Sequence, residues 1–154
     1  SVVPTTTSSR ILRSSGARAS RSRLAAMLRT TTQMHGTILD AHAADISQYL
    51  ASLQPAAVDV EVRSLCLNKD DEDGVRLLQH ALLYFAHELR AGRRFDLTQA
   101  QLQLLLQIYQ DVVVSCPQLQ PAAAACRRAQ EGDALRLSSM LDQGLCLVAT
   151  FLGQ

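Results

Sequence analysis

A chain of 154 residues is long enough for one hydrophobic core and short for two. Its 47% hydrophobic content excludes wholesale disorder, while 4% aromatics, no Trp and abundant Leu and Ala disfavour β-sandwiches and barrels. The net charge of +1 hides an asymmetry: residues 1–39 carry six arginines and no acid, whereas residues 40–154 carry nine basic and fourteen acidic side chains, unlike a dedicated nucleic-acid-binding domain.

Residues 1–22 hold ten Ser or Thr and four Arg with little to bury. Residues 1–23 therefore read as a flexible Arg/Ser/Thr-rich leader and residues 24–154 as a helical scaffold domain. The leader is where Arg10, Arg13, Arg18, Arg21 and Arg23 could meet RNA phosphate or an acidic partner. A start without Met points to a C-terminal portion of a longer protein, or to processing.

A first helix is expected from about Ser22 to Met34, with Leu24, Met27 and Leu28 on one side. Gly36 interrupts it, and a broken helical pattern follows, strongest from Ala43 to Leu53. Pro55 restarts the chain where a missing N–H costs nothing, in a first helical turn. Val58, Val62 and Leu65 then recur at helical spacing. The acidic run Asn68–Gly74 is expected as a solvated loop before a helix over Val75–Ala91, which Gly92 ends. The next helix is expected to open with Asp96 as its cap and Gln99 three residues on. Its stripe is Leu102, Leu105, Leu106, Tyr109, Val112 and Val113, widened by Leu104, Ile108 and Val114. An apolar surface that broad suggests the central helix. Cys116–Pro117 closes it, because a residue before proline is pushed out of helical geometry. Residues 121–151 begin with an alanine run, and Gly132 is a possible break. The C-terminal half carries the stripe Leu137, Leu141, Leu145, Val148 and, just beyond, Leu152. The expected fold is all-α: five or six helices in an antiparallel bundle or stacked helical hairpins.

The sequence offers little chemistry. Seven glycines are scattered singly, with no phosphate-binding loop and no nucleophile elbow. His80 and His87 are about 10 Å apart along a helix axis, too far to chelate one metal by themselves. Cys66, Cys116, Cys126 and Cys146 include no C-x-x-C pair and read as free thiols. No apolar run approaches the roughly 18 residues that span a membrane. Neither an enzyme, a cofactor, a metal site nor a small-molecule substrate is expected. The pairs Arg93–Arg94 and Arg127–Arg128 either close helix ends or meet RNA backbone or an acidic partner. Without interleaved aromatics, any nucleic-acid contact is to phosphate and salt-sensitive. Apolar helix faces, Leu145, Val148 and Leu152 among them, suggest a protein interface.

Three stretches together resemble the C-terminal domain of the WD-repeat protein 36 family. The first is Tyr49–Leu65, where Leu53-Gln54-Pro55-Ala56-Ala57-Val58-Asp59-Val60-Glu61-Val62-Arg63-Ser64-Leu65 is similar to the family's L-S-P-S-A-V-D-L-E-I-R-S-L. The second is Phe95–Leu106, and the third is Gly144–Val148 in the closing helix. The likeness covers roughly residues 24–152. Gln54 stands for the usual Ser, Gln101 for the usual Tyr, and the leader matches no known pattern. The resemblance implies a scaffold domain of a UTP-B subunit of the small-subunit processome, in the nucleus and nucleolus. It further implies a role in pre-rRNA processing and 18S rRNA maturation beside a snoRNP, with WD-repeat propellers preceding the domain. Helical C-terminal domains of other UTP-B subunits are the implied partners. Contact with pre-rRNA or snoRNA backbone is the rival role. Asp59, Glu61 and Arg63 are the polar residues of the matching stretch that could form a local charge network or face a partner.

Overall fold

The computed structural model describes residues 22–30, 38 and 40–132. Among these residues the chain forms six α-helices, one 3-10 turn and no strand, an antiparallel helical bundle as its composition leads one to expect. The helices are α1 (Arg23–Arg29), α2 (Asp40–Ser52), α3 (Pro55–Arg63), α4 (Glu72–Ala91) and α5 (Phe95–Ser115). The 3-10 turn Pro117–Leu119 leads into α6, residues 120–132.

Helix α1 is shorter than its apolar pattern suggests. Ser22 caps its start, accepting from the Ala25 N–H, and Thr30 ends it by turning its own N–H back to Ala26 and Leu28 carbonyls. Met34 lies outside the described residues. Helix α2 buries Ala43, Ile46, Ser47 and Leu50. Helix α3 has Pro55 in its first turn and Gln54 before it, with no side-chain cap. Val58 and Val62 are buried, and so is Leu65 just beyond the helix end.

Two helix starts differ from expectation, each for a local reason. Helix α4 begins at Glu72, three residues before Val75, because the Asp71 carboxylate accepts from the Gly74 N–H at 3.1 Å. Its second oxygen accepts from the Leu67 N–H at 3.1 Å, so the acidic run is loop only as far as Asp71. Helix α5 begins at Phe95, and Asp96 falls in its first turn rather than at its cap. The connection leaves no room for a longer approach. Gly92 (φ 75°) and Arg94 (φ 44°) are both left-handed, and the Arg94 carbonyl already accepts from the Thr98 N–H. At the far end Cys116 is extended before Pro117.

The central helix is α4, not α5. It packs against α1, α2, α5 and the 3-10 turn. It buries eleven residues, among them Leu77, Leu78, Leu82, Tyr84, Phe85 and Leu89, against six in α5. The apolar residues of α5 do encircle it, but Val114 is 72% exposed and Gln103, Gln107 and Gln110 face solvent. Full burial of a leucine is worth roughly 1.5–3 kcal/mol, so this core carries most of the fold's favourable energy.

Small residues seat α6. Ala122, Ala125, Cys126 and Ala129 are buried, and the Cys126 thiol donates to the Leu82 carbonyl at 3.0 Å. Gln120 Nε2 donates to the Val113 carbonyl and Gln130 Nε2 to Gln99 Oε1. These contacts tie the start of α6 to the end of α5 and its end to the start of α5. The two run antiparallel, so α6 is parallel to α4. Residue 132 is still helical. The stripe Leu137–Leu152 lies outside the described residues.

Candidate interaction surface

The polar residues of α3 divide between outside and inside. Asp59 and Arg63, one turn apart, form an exposed ion pair at 2.8 Å. Asp59 holds the Arg63 guanidinium above its ordinary pKa. Such pairs add only about 0.2–0.5 kcal/mol. Glu61 turns inward. Its Oε2 accepts from Ser22 Oγ at 2.7 Å and from the Leu24 N–H at 3.0 Å, and its Oε1 accepts from the Tyr49 hydroxyl at 3.2 Å. A carboxylate thus sits at the N-terminus of α1, where the helix dipole favours it. Arg23 lies over the Tyr49 ring, 5.0 Å from its centroid. The Tyr49 hydroxyl is raised above its usual pKa by burial first and then by Glu61.

A second cluster occupies the α4–α5 turn. Glu88 is fully buried and receives both Nε and Nη2 of Arg93, a two-pronged pairing. Arg93 Nη1 also reaches Asp40 Oδ1 at 3.1 Å, and His87 Nε2 donates to the same oxygen at 2.9 Å. These two partners, His87 foremost, hold the Asp40 carboxyl below its ordinary value. Arg94 donates to Ser47 Oγ at 3.1 Å. Arg93 is therefore occupied internally, whereas Arg127 and Arg128 are exposed on α6. Arg10, Arg13, Arg18, Arg21, Leu145, Val148 and Leu152 lie outside the described residues.

Two open clefts flank the Asn68–Lys69 segment. One, of about 610 Å³, is lined by Lys69, Glu72, Arg76, Gln79, Cys116 and Pro117 among others. The other, of about 560 Å³, includes Arg63, Leu67, Ile108, Tyr109 and Asp111. Their charges are mixed in sign. Two buried thiols are poor nucleophiles: burial pushes Cys66, which lines the second cleft, up to about 11 and Cys126 on α6 up to about 12. His80 Nδ1 donates to the Leu28 carbonyl at 2.7 Å, a structural bond between α4 and α1. Among the described residues, no group of three His, Cys, Asp or Glu could hold a metal ion, and no helix is long and apolar enough to cross a membrane. The large apolar side chains left exposed there are Val60, Leu67, Leu97 and Val114.

Several residues that organise these surfaces carried no signal in the sequence. Glu88 stands among Phe85, Ala86 and Leu89, and its counter-ion, five residues on, follows a helix end. Tyr109 reads as one more member of the α5 stripe, yet its hydroxyl donates to the Val62 carbonyl at 2.6 Å and accepts from the Cys66 N–H at 3.2 Å. It sits at a kink (φ −112°, ψ 20°), and burial pushes its pKa up to about 12.

The family model described as "Utp21 specific WD40 associated putative domain" matches residues 3–152. No curated protein and no solved structure matches the chain.

Proposed function

The chain belongs to the family of Utp21-specific WD40-associated domains, and from that membership we propose that it is a non-catalytic scaffold domain of a UTP-B subunit of the WD-repeat protein 36 type. It works in the small-subunit processome, in the nucleolus, and supports 18S rRNA maturation by holding other UTP-B subunits through their helical C-terminal domains. The observation that carries this reading is the match itself, which spans nearly the whole chain. The chemistry of the body agrees with it. Buried thiols are held protonated, and the most buried carboxylate, Glu88, is neutralised by Arg93. The outward face of α3, with Asp59, Val60 and Arg63 exposed or half-buried, is the part of the matching stretch left for a partner.

Co-purification tests the reading. Tagged wild-type chain in nuclear extract is expected to bring down UTP-B subunits, and Arg63→Glu to lose them. The fold should be spared, since the substitution removes one exposed pair and places like charges on a solvated face. Unchanged capture by Arg63→Glu, with unchanged helicity, removes α3 from the interface. Failure of the wild type to capture any UTP-B subunit removes the scaffold role.

A further inference from the structure

Helix α6 and the last turns of α4 present a surface that the α3 interface leaves unused. The helices are parallel, with Cys126 of α6 seated on the Leu82 carbonyl of α4. At 100° per residue, Leu82 and Ala86 face α6, while Gln79, Leu83 and Arg90 lie on the adjoining flank toward solvent. On α6, Ala122, Cys126 and Ala129 face the body and Gln130 leans to α5, which leaves Arg128 on the opposite flank. In a parallel pair those two flanks bound one groove, so Arg90 and Arg128 stand on its two walls. Arg127 stands on the α5 side of the same ridge. All three arginines are exposed, and among the described residues none of them is ion-paired. Among the described residues the nearest acids by register are Glu131, one turn beyond Arg127, and Asp96 at the start of α5, both exposed.

The surroundings select the partner. Among the described residues, none of the large exposed apolar side chains, Val60, Leu67, Leu97 and Val114, belongs to α4 or α6. A protein partner would find only the half-buried Leu83 there, too little for an apolar centre. Phosphates need only cations, and with no exposed aromatic among the described residues the contact is to backbone rather than to bases. We infer that the α4–α6 groove, with Arg90 and Arg128 on its walls and Arg127 at its edge, docks the phosphate backbone of an RNA. The choice of RNA over DNA rests on the pre-rRNA setting proposed above; the groove itself does not.

The test is binding of a 20-base-pair RNA duplex to the full chain across a salt series. The triple variant Arg90→Gln/Arg127→Gln/Arg128→Gln should keep its helicity and thermal midpoint and lose about tenfold in affinity at low salt. Its slope of log affinity against log salt should fall by about 1 for each arginine removed. Glu131→Gln should tighten binding. An unchanged slope in the triple variant overturns the inference, because the leader arginines would then carry all binding. It is equally overturned if a polyglutamate peptide loses binding in the triple variant while RNA does not, or if duplex DNA of the same length binds more tightly. The triple variant should still capture UTP-B subunits. Groove-dependent RNA binding by a chain that captures none of them would sink the scaffold reading and leave the groove standing.

Discussion

Glu88 and Arg93 illustrate how much a single pairing can govern. A fully buried carboxylate survives because two guanidinium nitrogens meet it, and Arg93 then reaches Asp40 at the surface. Removing one partner strands the other. Arg93→Ala should therefore cost about 3–5 kcal/mol in urea unfolding, far above an ordinary surface arginine. Loss of less than about 1 kcal/mol would mean that Glu88 finds water or another donor. Arg63 offers the contrast, since its pair with Asp59 is exposed and worth little. From the sequence both arginines look alike, each beside helix ends and each with an acid nearby. Burial of the acid separates them, and burial is a tertiary property.

Elements were legible where local chemistry suffices. Pro55 at a first turn, Gly92 at a helix end and the Cys116–Pro117 stop stand where their backbone preferences put them. The start of α4 was not legible, because four consecutive acids offer several caps and only the fold selects Asp71. Two glycines bracket that helix and should respond oppositely to propensity. Gly74 is helical, where alanine is normally better by about 1 kcal/mol. Yet a Cβ there would lie 2.7 Å from Cys66 Cα and closer still to the Asp71 carboxylate. Gly74→Ala should thus destabilise by roughly 1–3 kcal/mol and loosen the cap. Gly92 has open space around it but a φ of +75°, so Gly92→Ala should cost only the left-handed backbone penalty, about 1–2 kcal/mol. Thermal unfolding of the two variants, with Gly92→Asn as the milder control, checks both; stabilisation by Gly74→Ala would refute the close approach.

At the scale of the molecule, α4 organises the bundle and the peripheral helices are attached by specific polar bonds. Helix α1 has seven residues, too few to persist alone. It is held by Leu24, Ala25 and Leu28 in the core, by His80, and by Glu61 at its N-terminus. Glu61→Ala should speed amide exchange across residues 23–29 by about ten- to a hundredfold, the equivalent of the roughly 1–3 kcal/mol of a lost buried acceptor. Amides of α4 and α5 should hold their protection. Uniform acceleration across the bundle would show instead that α1 opens only with the whole fold. The Glu61 carboxylate also fixes Ser22, the residue that caps α1, against the inward side of α3.

Leu- and Ala-rich composition and the 3.6-residue recurrence of apolar side chains determined that this chain is helical and roughly where its helices run. Three stretches of the same residues pointed to a domain that accompanies WD repeats, and the match over residues 3–152 shows the family of Utp21-specific WD40-associated domains. Which helix lies at the centre was decided by tertiary structure alone. The periodicity of α5 is broader, but its outer strip of Gln103, Gln107, Gln110 and Val114 is exposed, while α4 packs against α1, α2, α5 and the 3-10 turn. The same holds for the polar residues: spacing placed Asp59, Glu61 and Arg63 on one short helix. Only contact with α1 and α2 turned Glu61 inward and left its neighbours outside. Periodicity reports which residues share a face; it cannot report what stands opposite that face, and burial and pairing depend on that.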